Sequence, residues 1–119
     1  MSGAESQHAE QHKARLALLA QIEQTLETCK TRIDDEVKNY PRPITACDVQ
    51  FEHALEQQAG VRRALRHAGV LRENQPEGGE FARIVDEFVA ACAFIDAESA
   101  QEIRSMLANL LEDADARAD

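Results

Sequence analysis

Apolar residues recur every three or four positions along the first third of the chain. They are Leu16, Leu19, Ile22, Leu26, Cys29, Ile33 and Val37. This spacing places them in one stripe along an α-helix, and no part of the sequence has the period-two alternation of a half-buried strand. The heptad pattern lasts about two repeats, fewer than a coiled coil needs. It therefore predicts one long helix of a bundle.

Residues 40–48, with the sequence YPRPITACD, interrupt this pattern. Pro41 disfavours the helical conformation at the residue before it, and Pro43 fixes an extended backbone. Thr45 and Asp48 then resemble a capping box with Asp in the place of Glu. The segment therefore predicts a hinge that leads into a second helix.

The second helix is predicted to run to about Ala68, with Gly69 as its C-terminal stop. Its stripe consists of Phe51, Ala54, Leu55, Gln58, Val61, Arg62, Leu65 and Ala68. Gly60 lies inside this helix, where glycine is unfavourable, and indicates a close helix contact. Residues 72–79, RENQPEGG, are polar and rich in turn formers, so they predict the longest loop.

Two further helices are predicted in the last third of the chain. A broad apolar face extends from Phe81 to Ile95, and Asp96 resembles the N-cap of a fourth helix. A single kinked helix that continues through Asp96 is the alternative. The predicted fold class is all-α, an antiparallel four-helix bundle with a long first helix.

The chain is expected to form one helical domain over residues 1–119. Residues 1–13 contain almost no apolar side chain and are expected to be a frayed lead-in, and residues 112–119 a disordered acidic tail. A four-helix bundle of this size leaves one face of the long first helix with little to cover it. Because two-fold dimers are the commonest oligomers, this favours a homodimer.

The composition limits the class of partner. A formal net charge of −9 repels nucleic acid and anionic lipid surfaces, so we expect neither. The sequence has no long apolar run and no signal-peptide pattern, which favours a cytoplasmic protein without a membrane span. The three cysteines form no CxxC pair and are expected to be reduced thiols.

The hinge at residues 40–48 is one candidate site. Cys47 is expected in the first turn of the second helix, where the helix dipole favours a thiolate. Arg42 could add positive charge and Tyr40 a proton donor, so the segment could bind a small anion or form a redox-sensitive thiol. The carboxylate of Asp48 opposes this, because it raises the pKa of a neighbouring thiol. The alternative is a purely structural hinge.

Residues 61–72, VRRALRHAGVLR, are the second candidate site. They collect Arg62, Arg63, Arg66, His67 and Arg72 in an otherwise acidic protein. Arg62 and Arg66 are four residues apart, as are Arg63 and His67, so each pair lies along one helix face and could bind phosphate or an acidic partner. The alternative is that Glu52, Glu56 or the acidic third and fourth helices neutralise these cations.

Chemistry beyond binding has little support in the sequence. Glu5, His8 and His12 have ExxH and HxxxH spacings, but the second ExxH and the inward glutamates of a bundle metal site are missing, so we expect no metal and no cofactor. The chain also lacks GxSxG, HExxH and phosphate-binding glycine motifs. We therefore expect a non-catalytic protein-interaction or scaffold module. A small-anion or thiol-redox site at residues 40–48 is the alternative.

Overall fold

A computed structural model describes the backbone of residues 2–76 and 79–118 and the side chains of residues 9–76 and 79–112. Within these ranges the protein is all-helical, and 82% of the chain is in four helices. They are α1 (Ser2–Lys38), α2 (Val49–Glu73), α3 (Gly79–Ala91) and α4 (Ala97–Ala118). None of the described helices is long and apolar enough to cross a membrane. The packing is consistent with a bundle, and the predicted all-α class is confirmed.

Helix α1 is central to the packing, because it contacts both α2 and α4, while α3 contacts α4. Most of the predicted α1 stripe is buried, namely Leu19, Ile22, Leu26, Cys29 and Ile33. Leu16 and Val37, at the two ends of the stripe, are half-buried. Leu18 lies outside the stripe and is also fully buried, because α1 has neighbours on more than one side.

Salt bridges give the relative direction of α1 and α2. Arg72, near the end of α2, lies 2.6 Å from Glu23 in the middle of α1. Arg62, in the middle of α2, lies 3.3 Å from Asp34 near the end of α1. Later residues of α2 therefore face earlier residues of α1, as in an antiparallel hairpin. The antiparallel order of the whole bundle stays a prediction.

Helix α2 begins after a different cap from the one predicted. The N-cap is Asp48, whose carboxylate accepts a hydrogen bond of 3.0 Å from the backbone N–H of Phe51. Thr45 lies before the cap, so the predicted capping box is wrong. Cys47 precedes the helix, and its predicted place in the first turn is also wrong.

Helix α2 also ends later than predicted. It passes through Gly69 and ends at Glu73, and the N–H of Asn74 bonds to the carbonyl of Val70. The predicted stop at Gly69 is therefore wrong. A glycine costs a helix about 1 kcal/mol relative to alanine, whereas continuation of the helix buries Leu71 in the core, and burial of a leucine side chain contributes about 1.5–3 kcal/mol.

The buried face of α2 is narrower than the predicted stripe. Ala54, Val61 and Ala68, spaced seven residues apart, are almost fully buried. Leu55 and Arg62 of the predicted stripe are exposed. The apolar contact of α2 is therefore a narrow strip of small and medium-sized side chains.

A linker of residues 92–96 separates α3 from α4, so the predicted break is confirmed and the single kinked helix is wrong. Asp96 directly precedes α4, and hydrogen bonds from the side chain and backbone of Ser99 lower its pKa, as expected for a helix cap. Ile95, predicted on α3, belongs to the linker. The close contact expected at Gly60 also exists, although its partner is the linker ring of Phe94.

The two ends of the chain are helical over the described backbone. Because α1 begins at Ser2 and α4 ends at Ala118, the helices include most of the predicted lead-in, residues 1–13, and of the predicted acidic tail, residues 112–119. Met1, Asp119 and the side chains of residues 1–8 and 113–119 lie outside the described part of the chain. Fraying and disorder in solution, and the single-domain organisation, stay predictions.

Candidate functional site

An open groove separates α2 from α3. Over the described residues, no Cα atom of α2 lies within 8 Å of a Cα atom of α3. The space between them has a volume of about 510 Å³. It is lined by Arg63, Ala64 and His67 of α2, by Ile84, Glu87, Phe88 and Ala91 of α3, and by Cys92, Ala93 and Phe94 of the linker. We refer to this feature as the α2–α3 groove.

The walls of the α2–α3 groove are mostly apolar. Ile84, Phe88 and Phe94 are half-buried and pack on the core with one side, while the other side faces the groove. The His67 ring meets the Phe88 ring edge to face, with 5.3 Å between the ring centroids. Every lining residue is half-buried or exposed, so the groove is open to solvent along its length.

One end of the α2–α3 groove is formed by a close contact between the linker and α2. Gly60 has room for the Phe94 ring only because it has no Cβ: a Cβ built at Gly60 would lie 2.8 Å from Cζ of Phe94. This contact fixes the linker against the middle of α2. It therefore positions the Phe94 ring as part of the groove wall.

The two edges of the α2–α3 groove differ in charge. Arg63 lies on the α2 edge, and no carboxylate among the described side chains is within salt-bridge distance of it. Glu87 lies on the α3 edge and pairs with Arg83 at 3.1 Å. The cation at the groove is thus uncompensated, whereas the anion is already paired.

The predicted cationic cluster of residues 62–72 is divided between two sides of α2. Arg62 and Arg72 are neutralised, as the alternative predicted, but their partners are Asp34 and Glu23 of α1 and not the predicted acidic residues. A hydrogen bond from Gln58 and then one from Lys30 hold the pKa of Asp34 below its ordinary value, so this carboxylate is charged when it meets Arg62. Arg63 and His67 line the groove. Arg66 is exposed and lies outside its lining.

Two of the four candidate residues in the hinge, Tyr40 and Asp48, are in contact. The Tyr40 hydroxyl donates to the Asp48 carboxylate, with distances of 2.8 and 2.9 Å to the two oxygens. The Tyr40 ring meets the Phe51 ring edge to face at 5.0 Å. Arg42 and Cys47 are exposed and take no part in this contact.

These hydrogen bonds shift the pKa values of Tyr40 and Asp48 in opposite directions. The backbone N–H of Phe51 and then the hydroxyl of Tyr40 lower the pKa of Asp48, and the same hydroxyl contact raises the pKa of Tyr40. Asp48 therefore uses its oxygens to cap α2 and to hold Tyr40. These contacts are structural, and the anion or redox site considered for the hinge stays a prediction.

The described residues form neither a metal-binding group nor a nucleophile paired with a base. The side chains of Glu5 and His8 lie outside the described part, and no group of three or more His, Cys, Asp or Glu side chains within it could hold a metal ion. Cys92, His67 and Glu87 all line the α2–α3 groove, but no hydrogen bond between any two of them occurs in the described structure. They do not form a nucleophile–base pair.

Sequence reasoning missed the apolar part of this site. The periodicity places Ile84 and Phe88 on the apolar face of α3. The one signal that these residues line a groove is the width of that apolar face, which is broad for a helix packed on a single neighbour. Comparisons with protein-family models, curated proteins and solved structures found no match to the chain.

Proposed function

We propose that the protein is a non-catalytic protein-interaction module that binds a partner protein through the α2–α3 groove. The observation that carries the proposal is an apolar surface of Ile84, Phe88 and Phe94 in an open groove beside the uncompensated cation of Arg63. Contiguous exposed apolar surface edged by polar groups is typical of interaction sites. Covering such surface contributes about 25 cal/mol for each Å² removed from water.

A protein fits this surface better than other macromolecules. The chain has a formal net charge of −9, which repels nucleic acid and anionic membranes over its surface as a whole. A single local cation can still bind a carboxylate of a partner protein. Nucleic acid and membrane are therefore not part of the proposal.

A homodimer in the cytoplasm is the second part of the proposal. Apolar side chains are exposed outside the groove, namely Val49, Leu55, Val70 and Leu111. A second copy could cover some of them. The three free cysteines are compatible with a reducing compartment. Sedimentation equilibrium of the full chain should give twice the 13.2 kDa chain mass, and a mass of 13.2 kDa at all concentrations would contradict the dimer.

Site-specific photocrosslinking in the native cell tests the groove. A benzoylphenylalanine in place of Glu87, on the groove edge, should crosslink to one protein that mass spectrometry can identify. The same amino acid in place of Ala90, exposed on α3 but outside the groove lining, is the matched control. Arg63→Glu should abolish the crosslink from position 87. Equal products from both positions, or none from position 87, would refute the proposed function.

A further inference from the structure

The α2–α3 groove follows one face of α3. Ile84, Phe88 and Ala91 have the spacing i, i+4 and i+7, which places them on one face of α3 over about 10 Å. In helix-in-groove recognition, a bound amphipathic helix places its apolar face in such a groove. Across the groove, Ala64 of α2 offers a small side chain, so a guest helix can approach both walls.

The openness of the groove disfavours a small molecule. Sites for small ligands bury roughly 70–90% of the ligand surface. In the α2–α3 groove half of the lining residues are exposed, namely Arg63, His67, Glu87, Ala91 and Ala93, so one side of a small ligand would stay in water. A helix tolerates this arrangement, because only its apolar face needs cover and its polar face can remain solvated.

The charge of the groove indicates which polar side chain a bound helix carries beside its apolar face. Arg63 is the uncompensated cation at the α2 edge, and Glu87 at the opposite edge is paired with Arg83. A carboxylate accepts two parallel hydrogen bonds from a guanidinium group, which makes it a specific partner. A basic side chain at the same place would be repelled.

From these observations we infer that the α2–α3 groove binds an amphipathic α-helix of a partner protein, and that this helix carries a Glu or Asp beside its apolar face, opposite Arg63. The inference rests on the proposed function of the groove. It adds the secondary structure and the charge of the bound segment.

Two synthetic helices test the inference directly. They are stapled, fluorescein-labelled peptides of roughly 14 residues with the same leucine face. One has Glu and the other Lys at the position flanking that face. In anisotropy titrations with the full chain, the Glu peptide should bind at least about 10-fold more tightly than the Lys peptide, as expected for one charge-assisted pair.

Two charge reversals show whether Arg63 sets this preference. Arg63→Glu should reverse it, so that the Lys peptide binds more tightly. Arg42→Glu makes the same charge change in the hinge, where Arg42 is exposed, and should leave the preference unchanged. A preference that Arg63→Glu leaves unchanged would overturn the inference.

Tryptophan substitutions at two neighbouring alanines locate the peptide in the groove. Ala91→Trp fills the groove from an exposed position and should weaken binding of the Glu peptide by about 10-fold, because it occupies the space of the guest side chains. Ala90→Trp adds the same ring on the adjacent exposed residue, outside the lining, and should have little effect. Equal effects of the two variants would place the peptide elsewhere and overturn the inference.

Other outcomes separate this inference from the proposed function. If neither peptide binds while the crosslink from position 87 persists, the groove is an interaction site but its guest is not an acidic helix. Saturable binding of dodecanoate without peptide binding would overturn the helix in favour of a small amphiphile. Absence of both the crosslink and peptide binding would refute the proposed function as well.

Discussion

The ring of Phe94 lies against Gly60, in a space that a Cβ atom would occupy. The distance from an ideal Cβ at Gly60 to Cζ of Phe94 would be 2.8 Å, closer than side chains normally approach. This contact connects the α3–α4 linker to α2, although no Cα atom of α2 lies within 8 Å of one of α3 in the described residues. It therefore determines both the position of the linker and one end of the α2–α3 groove.

Alanine substitutions at the two glycines within α2 should have different effects. Gly69→Ala should raise the free energy of unfolding by about 1 kcal/mol, because alanine favours helix and nothing lies within 4 Å of the new methyl group. Gly60→Ala has the same helical benefit but must displace the Phe94 ring, so its gain should be smaller or negative. Urea unfolding of both variants measures the difference. Equal gains in the free energy of unfolding would mean that the Phe94 ring can be displaced without loss of stability.

The C-terminal extension of α2 beyond Gly69 should be important for stability. Leu71 is only 8% exposed, so Leu71→Ala should lower the free energy of unfolding by at least about 2 kcal/mol through lost burial and a cavity. The neighbouring Val70 is 53% exposed, and Val70→Ala should change it by no more than about 0.5 kcal/mol. Thermal and urea denaturation compare the two. Similar small effects would indicate that the last turn of α2 is not packed in solution.

The hydrogen bond between Tyr40 and Asp48 predicts a change at alkaline pH. It raises the pKa of Tyr40 above its ordinary value of 10.0, so the folded state holds this proton more tightly than the unfolded state. The stabilisation is complete below pH 10 and is lost as the pH rises through the folded-state pKa. Above pH 10 the wild type should therefore lose stability more steeply than Tyr40→Phe.

The titration of Tyr40 can be followed directly. Tyr40 is the only tyrosine and the chain has no tryptophan, so tyrosinate absorbance reports this residue alone. The midpoint in the folded protein should lie above 10.0, and Asp48→Asn should move it down. A wild-type midpoint at or below 10.0 would mean that the hydrogen bond is not maintained in solution.

The three cysteines should react at different rates with a thiol reagent. Cys47 is exposed and precedes the N-cap of α2, so it should react no faster than a free cysteine. Cys29 is buried and should react only when the protein unfolds, and Cys92 should be intermediate. Mass spectrometry of labelled peptides distinguishes the sites. A much faster reaction at Cys47 that Arg42→Gln abolishes would support the redox hypothesis for the hinge instead.

The sequence predicts the helices of this protein better than their ends. The stripe from Leu19 to Ile33 follows from periodicity alone, because the side chains of one helix face must be apolar to be buried. The caps do not follow in this way. Thr45 and Asp48 both have the side chains of an N-cap, and only the fold shows that the Asp48 carboxylate reaches the N–H of Phe51. Gly69 resembles a stop, but tertiary burial of Leu71 overrides local propensity.

The groove was beyond sequence reasoning for a different reason. An apolar stripe predicts that Phe88 lies on the buried face of its helix. It does not show which helix packs against Phe88 or whether the Phe88 side chain is fully buried. That depends on the helix pairing, in which the backbone of α1 lies close to α2 and α4, and the backbone of α3 lies close to α4. The cations show the same limit. Arg62 and Arg63 are neighbours in sequence, yet one pairs with α1 and the other faces the groove.

The pairing of the helices has a consequence for how the chain reaches this structure. The α1–α2 and α3–α4 contacts each join neighbours in sequence, whereas the α1–α4 contact connects helices separated by residues 39–96. Closing this longest loop carries the largest entropy cost. The two hairpins are therefore expected to form quickly, and the rate of folding is expected to be set by their docking along α1 and α4.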